Sequence, residues 1–138
     1  MSAFAPNGST NLSASGKKGR FPRSVRLLRH ADFERVYKQG KRHFGAHMTI
    51  FYLARPEGEG LRVGFTVGRV LGGAVDRNRM KRRLREAVRL QRPLTGEPVD
   101  VVINPKKSLL TADFRDVEKE VSRGFEVIQK WMEKRTGQ

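Results

Sequence analysis

The chain has 138 residues with 29 Lys and Arg against 14 Asp and Glu, a formal net charge of +15; 37% of it is hydrophobic and none is cysteine. One domain with a tail fits that length, and the missing thiols exclude disulfide staples, thiol nucleophiles and Cys-ligated metal centres. No apolar run approaches the ~20 residues of a membrane-spanning helix, and no apolar stretch near the N-terminus has the form of a secretory leader. The expectation is a soluble, cytoplasmic, basic domain whose partner is a polyanion, nucleic acid first.

The charge is uneven: residues 1–92 hold 21 Lys and Arg against 6 Asp and Glu, whereas residues 93–138 hold 8 of each. A binding face requires such asymmetry and a solubility device does not. Residues 1–22, rich in Ser, Gly and Asn and free of acid, read as a disordered basic tail that cannot bury enough apolar area to offset its ordering entropy. Residues 23–132 read as one α/β domain and 133–138 as a frayed end.

In chain order, Phe33, Val36 and Tyr37 recur at helical spacing and predict a helix over His30–Gln39 that Gly40 stops at the C′ position. Met48–Ala54 is rich in β-formers, and residues 55–60 are turn chemistry. Residues 61–67 alternate cleanly, with Leu61, Val63, Phe65 and Val67 on one face. A glycine loop, 68–73, leads into a helix over 75–90, with Pro93 beyond its end; a buried strand follows over 98–103. The last helix is expected over 112–132, its stripe being Phe114, Val117, Val121, Phe125, Ile128 and Met132, with Thr111 as N-cap. The order α-β-β-α-β-α predicts an α+β sandwich, a small mixed sheet packed by helices.

The second helix concentrates the chemistry. Met80, Leu84, Ala87 and Val88 form its apolar stripe, while Asn78, Arg82, Arg85 and Arg89 line the opposite side, flanked by Arg77, Lys81, Arg79 and Arg83. That row spans about 16 Å, long enough for several phosphates, which a guanidinium can grip from two nitrogens. The corner of Arg77 and Arg79 adds the helix N-terminus as an anion site. Gly68, Gly72 and Gly73 match neither phosphate-loop nor dinucleotide spacing, so no small-molecule cofactor is expected. The apolar stripe is small and needed by the core, which excludes a membrane-binding helix.

Phe33, Tyr37 and Phe51 are aromatics that can stack unpaired bases; the same spacing equally describes a core stripe, and periodicity leaves both open. No Ser-His-Asp signature or metal-spaced histidine set is present, so the chain by itself carries no catalyst and no metal site. A noncatalytic, ribosome-associated or general RNA-binding protein of the same fold is the alternative function.

The strand Leu61-Arg62-Val63-Gly64-Phe65-Thr66-Val67 and the run from Gly72 through Arg77-Asn78-Arg79-Met80-Lys81-Arg82-Arg83-Leu84-Arg85 resemble the protein subunit of bacterial ribonuclease P. Asp32 through Gly40 is similar to that family's first helix, and Val99-Asp100-Val101-Val102-Ile103 to its later strand. The resemblance covers about residues 23–132. It implies a left-handed βαβ crossover, and an endonuclease whose RNA subunit does the chemistry with RNA-bound magnesium. It also implies a protein that contacts that RNA and the 5′ leader of precursor tRNA. The residues expected to bind RNA are Arg69, Arg77, Asn78, Arg79, Lys81, Arg82, Arg85 and Arg89; Phe33, Tyr37 and Phe51 match the leader cleft. Where the family usually has Ser-Lys-Lys, this chain reads Gly68-Arg69-Val70, which removes one cation.

Overall fold

In a computed structural model that describes residues 29–56, 60–91 and 98–136, helix α1 spans His30–Gln39, as the aromatic and apolar spacing predicts. Gly40 ends it without the left-handed turn expected of a terminal glycine: its φ is −82° and its ψ 172°. Glycine is required by close approach instead, since a Cβ there would lie 2.6 Å from the carbonyl oxygens of both Val36 and Tyr52.

The sheet has four strands, β1 (Lys41–Phe44), β2 (Met48–Ala54), β3 (Leu61–Phe65) and β4 (Val99–Pro105), in the order β1-β2-β4-β3. Strand β1 corrects the expected order to α-β-β-β-α-β-α. Lys41, Arg42, His43 and Phe44 carry no apolar alternation; pairing with β2, Lys41 opposite Tyr52 and Phe44 opposite Thr49, makes them a strand. β2 runs antiparallel to β4, and β3 parallel to β4. Parallel neighbours need a crossover, which helix α2 (Ala74–Leu90) supplies. Helix α3 spans Phe114–Thr136, so residues 133–136, expected to fray, continue it. Thr111 closes a 3-10 turn over Lys107–Leu110 and does not cap α3. Asp113 does, its Oδ1 accepting from the Arg115 N–H at 3.1 Å. The expected tail, 1–22, lies outside the described residues. No described helix is long and apolar enough to cross a membrane.

The sheet's two faces are unequally covered. Met48, Ile50, Tyr52, Val63, Phe65, Val101 and Ile103 point to the side where α2 buries Met80, Leu84, Ala87 and Val88, and α3 buries Val117, Val121, Phe125, Ile128 and Met132. Each Val, Leu, Ile, Phe or Met among them contributes roughly 1.5–3 kcal/mol through burial. Helix α3 comes so close that a Cβ at Gly124 would sit 2.5 Å from Ile50 Cδ1. On the other face α1 lies chiefly over β2 and β4, packing Phe33 and Val36 on Val102 with Tyr37, Phe51 and Leu53 at the margin. Ten residues give α1 a length of about 15 Å, too little to cover a four-stranded sheet. Among the described residues, no helix covers the face over β1.

Candidate nucleic-acid interface

Helix α2 divides its cations between two duties. Asn78, Arg79 and Arg82 are exposed, whereas Arg77, Lys81, Arg83, Arg85 and Arg89 are half-buried. Arg83 reaches the carbonyl oxygen of Ala112 and lies 5.8 Å from the Phe114 ring centroid, fastening α2 to the start of α3. Arg89 forms a two-pronged ion pair with Glu86 on its own helix, and bonding to that carboxylate holds its pKa above the ordinary value. Within the expected row, Arg89 is thus paired with a carboxylate of its own helix. Arg79 and Arg82 pair with no carboxylate among the described residues. Burial, then the charges of Arg85 and Arg77, lowers the Lys81 pKa; a phosphate placed beside it would oppose that shift.

The loop before α2 completes the basic corner. Residues Arg69–Leu71 form a 3-10 turn, and Gly72 sits at φ 139°, a conformation side-chain-bearing residues rarely adopt. The Arg77 Nε–H closes the turn on the Gly72 carbonyl at 3.2 Å. Gly73 stands at the N-cap with no side-chain cap, which leaves the first N–H groups of α2 without a side-chain acceptor from that position. Val70 is exposed.

The aromatics separate by depth. Phe33 is only 2% exposed and belongs to the core under α1, a correction to its expected place in the cleft: no ring face is open to a base. Tyr37 and Phe51 are half-buried and meet edge-to-face with centroids 4.9 Å apart. The Tyr37 hydroxyl donates to Asn104 Oδ1 at 3.0 Å and lies 2.6 Å from Thr66 Oγ1, which pins the ring to β4 and the end of β3. Thr66 is three residues before Arg69, so the aromatic cleft and the basic loop meet where β3 ends.

Sequence reasoning missed an ionic cluster that seats α1. Fully buried Asp100 accepts from Arg55 Nη1 at 2.7 Å, from Arg62 Nε at 2.9 Å and Nη2 at 3.0 Å, and from Arg35 Nη2 at 3.4 Å. Asp32 Oδ1 adds Arg35 at 2.9 Å and Arg62 at 3.4 Å. The bonds to Asp100 lead in raising the Arg62 pKa, against the opposing effect of burial. The available signal was one acid inside the apolar run Val99-Asp100-Val101-Val102-Ile103. Such a residue demands a cationic partner. Also missed were Arg42 and Phe44, on the unrecognised strand.

A family model described as "Ribonuclease P" matches residues 21–129. A "Ribonuclease P protein component" of Symbiobacterium thermophilum is 38% identical over 104 residues, covering 75% of this chain and 90% of the relative. One of Finegoldia magna is 37% identical over 97 residues, 70% of this chain and 83% of the relative. Among solved structures, the RNase P protein from Thermotoga maritima superposes with a TM-score of 0.63 at 26% identity, covering 76% of this chain and 96% of that one.

Proposed function

The chain belongs to the ribonuclease P protein family, and from that premise we propose how its surfaces divide the work. Its function is that of the protein subunit of ribonuclease P, a ribonucleoprotein endonuclease of tRNA processing. In our reading Arg69, Arg77, Asn78, Arg79, Lys81, Arg82 and Arg85 hold the catalytic RNA subunit. Tyr37 and Phe51 hold the 5′ leader of precursor tRNA. Phosphate contacts position an RNA without reading its sequence, and aromatic stacking accepts any base.

One observation supports this reading above the others: α2 keeps Arg79 and Arg82 exposed, with no carboxylate partner among the described residues, beside a basic loop that adjoins the Tyr37–Phe51 ring pair. We assign magnesium to the RNA, where it supplies the charge neutralisation and water activation of the cleavage. Asp32 and Asp100, the buried carboxylates among the described residues, are engaged by guanidinium groups. We propose a cytoplasmic site of action, since an enzyme of this kind acts where precursor tRNA is made.

The test adds the purified chain to a ribonuclease P RNA at low magnesium and follows leader removal. Cleavage should accelerate with protein present, and protein without RNA should leave the precursor intact. Equal rates with and without the chain would overturn the reading.

A further inference from the structure

We infer that Arg42 and Phe44 of β1 form an outer stacking position that continues the aromatic cleft by one nucleotide of an unpaired RNA strand. The inference rests on Tyr37 and Phe51 as the leader site and adds residues beyond them. Arg42 stands opposite Phe51 and Phe44 opposite Thr49. Residues directly opposite share a sheet face, so all of them lie on the side that α1 covers only in part. Alternate residues of a strand are ~6.6 Å apart, which sets Phe44 one pleat beyond Arg42, toward the hairpin turn.

The patch has the composition of a single-strand platform. The Arg42 guanidinium lies 5.6 Å from the Phe51 centroid and 6.0 Å from that of Phe44, and it pairs with no carboxylate among the described residues. Resting on two rings, it keeps N–H groups for a phosphate while the exposed Phe44 ring offers its free face to a base. Phe44 is 67% exposed, so packing among the described residues does not account for an aromatic there.

The platform is also held rigid. Glu120 of α3 accepts from the Ala46 N–H at 2.8 Å and the His47 N–H at 3.0 Å, and Lys106 Nζ donates to the Gly45 carbonyl at 3.0 Å. The turn that carries Phe44 is thereby tied to the far side of the sheet, and little ordering remains to be done on binding.

The experiment uses the holoenzyme of the full chain and ribonuclease P RNA, with precursor tRNAs whose leaders lengthen one nucleotide at a time. Phe44→Leu should lose one affinity step, at least about fivefold, leaving shorter leaders and mature tRNA unchanged; Phe44→Tyr should restore it. Arg42→Gln should weaken the same step and flatten the log K against log salt slope by about 0.7. Tyr37→Leu serves as the reference, losing leader discrimination altogether. If it does so while Phe44→Leu matches the parent at every length, the outer position fails alone. If Tyr37→Leu keeps full discrimination, the leader site itself is misplaced. An equal loss for mature tRNA in Phe44→Leu would make the patch a contact for the tRNA body or a protein, and would overturn the inference.

Discussion

Asp100 bears more of the fold than any surface cation. It is fully buried among Arg35, Arg55 and Arg62, which come from α1, the β2–β3 turn and β3. Two carboxylates, Asp32 included, face three guanidiniums, so the cluster holds a surplus positive charge and tolerates no loss of acid. Removing one partner of a buried pair leaves the others desolvated and unpaired, at a cost of about 3–5 kcal/mol. Asp100→Asn should lower stability by that order in urea unfolding, and a change below about 1 kcal/mol would show the cluster to be dispensable. Arg55, 8% exposed on its side chain, should be the least replaceable of the three cations. At the same scale, Phe33 and Tyr37 are four residues apart on α1, yet one is core and the other marginal. Periodicity assigns a residue to a face and does not say how deep in that face it lies.

Helix α2 was the most legible element, because its stripe of Met80, Leu84, Ala87 and Val88 is a local property of 3.6-residue spacing, and all four are buried. Its polar side was legible as charge but not as roles. Arg83 looks like Arg79 and Arg82 in the sequence, and only the position of Ala112 separates it, whereas Arg89 is set apart by Glu86 three residues before it. The two classes should respond differently to alanine. Arg79→Ala with Arg82→Ala should leave the fold intact and flatten the salt dependence of RNA affinity by roughly 0.7–0.9 per lost phosphate contact. Arg83→Ala should instead cost about 1.5 kcal/mol or more through its lost hydrogen bond, with the slope unchanged. A parental slope in the Arg79→Ala, Arg82→Ala variant would mean that neither residue meets phosphate.

For the whole molecule, a net charge of +15 on 138 residues means that the folded chain works against its own repulsion. At ~0.01 M salt the screening length is about 30 Å, the scale of the domain, and at ~0.15 M it falls to about 8 Å. The melting temperature should therefore rise as sodium chloride is added over that range, since long-range repulsion is screened while the buried bonds to Asp100 are screened far less. A melting temperature that falls instead would show the ion pairs outweighing the repulsion.

The chain by itself determined what local pattern and composition can carry: a polyanionic partner, the bounds of α1 and β2, the buried stripe of α2, and the motif that marks the family. Each rests on residues near one another in sequence. Tertiary structure alone decided that residues 41–44 are a strand, because an edge strand of polar residues exists only through its pairing with β2. It decided that Asp100 joins arginines 38, 45 and 65 positions away, and that Asp113, not Thr111, caps α3 once a 3-10 turn intervenes. It also decided which aromatics keep an open face. Depth, pairing and the choice among equal cations depend on where distant segments meet, and no local spacing encodes that.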